Sequence, residues 1–217
     1  MNRPNITITY TQTLDGRTAL ADGRSQWIGA PESVRFAHEL RASHAAIMVG
    51  IGTVLIDNPR LTVRHVAGAD PLRIIVDSTL RIPLSSNVLV HAAAQGTLIA
   101  TTAQADQTKI VQLEALGAQV LVLPEQSGLV ALVPLLETLA QMHIATLMVE
   151  GGTTLITALV RERLVDRMAV CIAPRLMGTG LAAIGDLGIG ELDAMPELED
   201  VTIHRYGRDI VLDGRIR

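Results

Sequence analysis

Apolar runs of strand length alternate with amphipathic stretches of helical period along nearly the whole chain. Residues 6–11 alternate and are rich in β-branched side chains, which predicts a first strand. Ala30-Pro31-Glu32-Ser33 then opens a helix to about Ala42, with Pro31 near its first position and an acid close by. A short apolar run over 45–49 predicts a buried strand, and Gly50-Ile51-Gly52-Thr53 turns from it into a brief helix. Further buried strands are predicted over 72–76 and 97–101. Asp106 to Leu116 reads as a helix stopped by Gly117, with a strand over 119–123 after it. Gly128 to Met142 predicts another helix, in which Pro134 is an internal irregularity able to kink it. A strand over 145–149 runs into Glu150-Gly151-Gly152, and Thr153 to Arg161 predicts a helix. Last come a strand over 167–172 and a hairpin of 201–206 with 210–212 across Gly207-Arg208-Asp209.

This order predicts an α/β fold with a mostly parallel central sheet, flanked by helices and finished by an antiparallel C-terminal hairpin. No repeat, linker or low-complexity stretch divides residues 1–217, so a single domain is expected. Ligands on such sheets gather at the carboxyl ends of strands, and both glycine turns fall at such ends.

Composition narrows the chemistry. Nearly half the residues are hydrophobic, yet the aromatics are one Trp, one Phe and two Tyr, so the core must be aliphatic. Cys171 is the single cysteine and lies in an apolar run, which excludes a disulfide framework and a cysteine zinc site and predicts a buried thiol. The six histidines show no metal-ligand spacing, so no metal is expected. A net charge of -4 without a basic tract speaks against nucleic acid. There is no signal-like start and no membrane-length apolar run, so a cytoplasmic protein is expected. Lys109 is the only lysine, at the start of a surface helix, which disfavours Schiff-base catalysis. Anions must be met by arginines, backbone amides and helix N-termini.

Three constellations carry candidate chemistry. Gly50-Ile51-Gly52-Thr53 lets backbone amides approach a phosphate at a helix N-terminus, although such a turn also serves as plain connection. Glu150-Gly151-Gly152-Thr153-Thr154 pairs a second such cradle with a carboxylate suited to accepting hydrogen bonds from substrate hydroxyls or ring amines. The alternative there is a capped helix beside a surface acid. Asp57-Asn58-Pro59-Arg60-Leu61-Thr62-Val63-Arg64 is a shaped loop with one acid and two arginines, or else a solvated turn. Asp15-Gly16 reads as a hairpin turn, and Trp27 stands in a polar neighbourhood, suited to core filling or to ligand stacking.

Taken in order, Thr13 to Arg17, Ser25-Gln26-Trp27, Leu40-Arg41-Ala42, Gly50 to Arg64 and Val149 to Gly152 resemble the reductase domain of riboflavin biosynthesis. Leu164 to Asp166, Ala173 to Gly178 and Gly207 to Asp209 extend the resemblance over essentially the whole chain. It implies a dihydrofolate-reductase-like fold, a homodimer and NADPH as cofactor. The implied substrate is a 5′-phosphorylated ribosylaminopyrimidine, reduced to the ribitylamino form. By resemblance, Thr11, Trp27, Thr53, Asp57, Ser78 and the run Gly152 to Ala158 face NADPH. Ser25, Arg41, Leu61, Arg64 and Glu150 face substrate, and Glu150 and Asp57 are candidates to assist protonation. Ser78 and Arg81 are candidates for a 2′-phosphate. A guanidinium fork suits a sugar phosphate. Many bacterial members add an N-terminal zinc deaminase, whose cysteines are missing here, so a stand-alone reductase is expected. It would act on the diaminopyrimidinone or on the deaminated aminouracil, with the former favoured. The competing readings are a dihydrofolate- or pterin-type reductase on the same fold, and a silent NADPH-binding regulator.

Overall fold

A computed structural model describes residues 2–26 and 28–217. Strand β1 (Asn5–Thr13) and the short β2 (Arg17–Ala19) precede helix α1 (Pro31–Ser43). Next come β3 (Ala46–Gly50), α2 (Ile51–Asp57), β4 (Leu72–Val76) and β5 (Thr97–Thr102). They are followed by α3 (Gln107–Ala115), β6 (Gln119–Leu123), the small pair β7 (Glu125–Gln126) and β8 (Leu129–Val130), and α4 (Leu132–Gln141). The chain then forms β9 (Thr146–Gly151), α5 (Thr153–Arg161), β10 (Arg167–Ala173) and β11 (Leu181–Ala182). It closes on β12 (Leu198–Tyr206) and β13 (Asp209–Ile216).

One 9-stranded sheet runs in the order β12-β13-β10-β1-β9-β3-β4-β5-β6. Every pairing from β10 across to β6 is parallel, and β13 and β12 are added antiparallel. The chain grows outward from β3 to β6, then returns to insert β9 between β1 and β3 and to lay β10 on the far side of β1. This reversal opens a crevice at the carboxyl ends of β1, β9 and β3, the place where such sheets take ligands.

Both faces of the sheet are covered. Ala46 and Met48 of β3 join Ile6, Ile8, Ile74 and Leu98 beneath α4 and α5. Ile47 and Val49 turn the other way and meet Val54 of α2 and Leu113 of α3. On that same side Phe36 and Leu40 of α1 pack on Met148, Ala169 and Cys171. Burial on both faces is why these strands read as unbroken apolar runs. The Cys171 thiol is buried, and burial pushes its pKa up to about 11, as suits a packing residue.

The structure corrects three local expectations. The helix expected from Gly128 starts at Leu132, because 125–130 form a hairpin turning through Ser127 and Gly128 at positive φ. Pro134 therefore falls in the first turn, where its missing N–H is no loss, rather than in the helix interior. Asp15-Gly16 turns the chain, but the strand after it pairs with β11 instead of folding back on β1. The Asp15 carboxylate accepts the Thr13 hydroxyl and the amides of Gly178 and Met177, and these donors hold its pKa down at about 2. Asp209 belongs to β13, not to the turn before it. Its buried carboxylate accepts the Ala30 amide at 2.6 Å and the Ser33 hydroxyl. Ala30 has no side chain able to cap α1, so the cap comes from the far end of the sequence. No helix of the described residues is long and apolar enough to cross a membrane.

Candidate active site

β9 pairs with β1 only as far as Val149 opposite Ile8, whereas β1 continues along β10 to Thr13. The two strands part, and a cleft of about 1530 Å³ enters between them. Tyr10 and Thr11 line one side, and Glu150, Gly151 and Gly152 line the other. On the β3 side of β9 the register steps from Met48 opposite Val149 to Val49 opposite Gly151. Glu150 is thus the extra residue of a bulge, a device that re-aims a side chain beside a site.

The two glycine turns come together at this point. An added Cβ on Gly50 would lie 3.8 Å from the Gly152 nitrogen, and one on Gly152 would lie 3.5 Å from Thr53 Oγ1. The Gly151–Gly152 peptide is cis, and Gly151 has φ 144°, which favours glycine. The floor between the turns is therefore bare backbone, topped by the N-terminus of α5. Thr153, Thr154, Leu155, Ile156 and Ala158 of that helix also line the cleft. Thr157 does not, since its hydroxyl donates to Thr153 O and accepts the Gly185 amide. A bare glycine floor at a helix N-terminus fits the pyrophosphate of a dinucleotide. The volume exceeds the roughly 300–1,000 Å³ of a pocket for one drug-sized ligand, so the cleft has room for more than one.

Arg41 enters from α1. Its Nε and Nη2 donate to the two Glu150 oxygens at 2.6 and 2.7 Å, and Nη1 donates to Thr62 O at 3.0 Å. Burial works against the Arg41 charge, but the attraction of Glu150 outweighs it and raises the pKa. The guanidinium expected to grip a phosphate is thus largely engaged in holding Glu150. Arg64 differs: it lines the cleft, and its Nη1 donates to the carbonyl and hydroxyl of neighbouring Thr62. Burial, then repulsion from Arg41 and Arg60, lowers the Arg64 pKa, the mark of cations gathered in one place.

Asp57, at the end of α2, accepts the Ser25 hydroxyl at 3.3 Å. Burial raises its pKa, only partly offset by that hydrogen bond. Ser25, Asp57, Gly52 and Thr53 all face the cleft, and Asp57 also borders a second cavity of about 820 Å³ with Arg24 and Arg175. Ser78 reaches the cleft wall while its hydroxyl accepts the Val130 amide at 3.0 Å. Arg81 lies beside it, its Nε 3.8 Å from the buried carboxylate of Asp77.

Leu61 does not face the cleft. It is 1% exposed and packs in the core with Ile47 and Val49, at φ 53°. Its burial anchors the 57–64 loop. Trp27 lies outside the described residues. Sequence reasoning missed His38, buried in the cleft wall, although it stands three residues before Arg41 and hence on the same helix face. Asp209 stood in the Gly207 to Asp209 stretch of the resemblance, but nothing in that stretch pointed to its hydrogen bonds with Ala30 and Ser33. Among the described residues no group of three His, Cys, Asp or Glu side chains is placed to hold a metal ion.

The family model of the RibD C-terminal domain matches residues 4–212. The riboflavin biosynthesis protein RibD of Aquifex aeolicus is 40% identical over 211 residues, covering 97% of this chain and 57% of that relative. The chain therefore spans little more than half the length of that protein. The 2,5-diamino-6-ribosylamino-4(3H)-pyrimidinone 5′-phosphate reductase of Methanothermobacter thermautotrophicus is 37% identical over 220 residues, covering 99% of each. Among solved structures, Acinetobacter baumannii RibD matches with TM-score 0.85 at 26% identity, over 100% of this chain and 59% of that one. A dihydrofolate reductase of Enterococcus faecalis matches with TM-score 0.55 at 11% identity, over 97% and 96%, a likeness of fold alone.

Proposed function

The chain belongs to the RibD C-terminal domain family, and on that footing we propose that it reduces the ribosylamino side chain of a 5′-phosphorylated pyrimidine to ribitylamino. The observation that carries this reading is the meeting of two parts in one cleft. The glycine floor at α5 shares its cleft with Glu150, Arg41, Asp57 and Arg64.

NADPH, when bound on that floor, supplies the hydride for the ribose C1′ of the ring-opened imine. The protein's part is placement and electrostatics. Glu150, held at both oxygens by Arg41, serves to accept hydrogen bonds from the ring amines and to steady the cationic imine. Asp57, whose proton affinity burial raises, is the better suited acid to give the imine nitrogen its proton. Arg64 meets the sugar phosphate. Arg81, on the loop after β4, suits the 2′-phosphate that separates NADPH from NADH.

The diaminopyrimidinone is the favoured substrate, because a relative 37% identical to this chain is named for it. The protein works as a homodimer, and the outer strand β12 offers Val201 and Ile203 for a second copy. The test is NADPH oxidation with the diaminopyrimidinone 5′-phosphate, its deaminated aminouracil and dihydrofolate in parallel. Turnover of either ribosylaminopyrimidine with none of dihydrofolate is expected. Turnover of dihydrofolate alone, or tight NADPH binding without oxidation by any of the three, refutes the reading.

A further inference from the structure

The segment 62–65 is clipped to α1 at two points. The Thr62 carbonyl accepts Arg41 Nη1 at 3.0 Å, and the Arg64 amide donates to His38 Nδ1 at 3.0 Å. On its other edge the Val63 amide donates to Asp70 at 2.7 Å. His38 is 2% exposed and shares the cleft wall with Arg41, Arg64 and His65. His65 packs edge-on against it, with ring centroids 4.6 Å apart. Arg64 is thus carried on a backbone whose position depends on an imidazole nitrogen.

We infer that His38 is a positioning residue: its Nδ1 fixes the Arg64 backbone so that the guanidinium is presented to the substrate's phosphate, and so sets the preference for a 5′-phosphorylated ligand. This rests on the reading of the cleft as a sugar-phosphate site. Only a ring with an unprotonated Nδ1 can accept that amide. Burial first, then the charges of Arg41 and Arg64, depress the His38 pKa to about 4, so the acceptor persists throughout the neutral range. An amide deprived of it must find another partner, and finding one displaces Arg64.

The test compares wild type, His38→Leu and His38→Asn in binding the diaminopyrimidinone 5′-phosphate and its dephosphorylated nucleoside. Asparagine offers an acceptor oxygen near the Nδ1 position, whereas leucine fills the space without one. His38→Leu is expected to weaken binding of the phosphorylated compound about tenfold, the loss of one well-placed hydrogen bond. Nucleoside and NADPH affinities stay within about twofold of wild type, since no contact to either is removed. His38→Asn recovers most of the loss. In an Arg64→Ala background, adding His38→Leu brings no further weakening, as expected of residues acting as one unit.

Equal weakening of both compounds, or His38→Asn as poor as His38→Leu, overturns the assignment. If His38→Leu does not fold, His38→Ala takes its place in the same comparison. A wild-type protein that binds the phosphorylated compound no better than the nucleoside overturns the reading of the cleft. A wild-type preference that survives in His38→Leu overturns only the role of His38.

Discussion

Replacing Arg41 by methionine tests whether Glu150 is held in place or merely accompanied. The pair is nearly buried, with side chains 11% and 16% exposed, and is bidentate at 2.6 and 2.7 Å. Removing one partner of a buried pair leaves the other charge uncompensated, at a cost of about 3–5 kcal/mol when burial is complete. The residual exposure lets water reach Glu150, and methionine keeps the packing of the aliphatic stem, so about 2–3 kcal/mol is expected here. Glu150→Gln leaves an amide that still accepts from the guanidinium and should lose only about 1–2 kcal/mol.

The double variant decides the matter. If the two side chains interact chiefly with each other, Arg41→Met with Glu150→Gln is destabilised less than the sum of the singles, by about 1–2 kcal/mol. The assay is urea denaturation followed by circular dichroism at pH 7.5, with the linear slope checked to be unchanged. Initial rates of NADPH oxidation are read on the same samples. Single variants within about 0.5 kcal/mol of wild type, or strictly additive losses, refute the argument that Arg41 positions Glu150.

Further outcomes follow from other parts of the structure. His38 has a folded-state pKa near 4 against 6.5 unfolded, so the unfolded chain takes up the proton first as pH falls. Its stabilisation is complete above about pH 6.5 and is lost as pH drops towards 4. The loss is at most about 3 kcal/mol, seen as the difference between the pH–stability curves of wild type and His38→Asn. Parallel curves refute it. Asp209→Ala removes the cap of α1 and should destabilise by about 1–3 kcal/mol while lowering activity, because α1 carries Arg41. Unchanged unfolding midpoints would contradict that. A Cβ on Gly52 meets nothing within 4 Å, yet Gly52 faces the cleft. Gly52→Ala should therefore leave stability equal or higher by about 0.5 kcal/mol while weakening NADPH binding. Cofactor titration by tryptophan-independent calorimetry reads this directly, and unaltered affinity would exclude Gly52 from the cradle.

Much of the fold was legible because helix and strand periods differ and because strands covered on both faces must be apolar throughout. Runs such as 72–76 and 119–123 fall where their patterns end. The stretch Gly128 to Leu132 misled, since a two-residue hairpin and a helix start share the same apolar and glycine residues. In the cleft, the glycine turns and the acid beside one of them were visible as strand-end chemistry. The inward turn of the Leu61 side chain was not legible, because motif position says nothing of which way a side chain turns. Arg41 was placed near ligand by resemblance, but its grip on Glu150 joins residues 109 apart in sequence.

The sequence by itself determined the order of elements, the aliphatic double-faced sheet and the two glycine turns, because these depend on local period and backbone freedom. The family resemblance was carried by short runs along the whole chain, most specifically Gly52 to Arg64, whose order is local too. Only the tertiary structure decided which charges are free and which are engaged. Inserting β9 between β1 and β3 sets the two turns side by side, and the bulge at Glu150 aims its carboxylate at Arg41. Arg64, by contrast, lines the cleft with no acid bonded to its guanidinium among the described residues, and its backbone amide is held by a histidine on another element. Such pairings depend on distance in space, and no spacing along the chain encodes them.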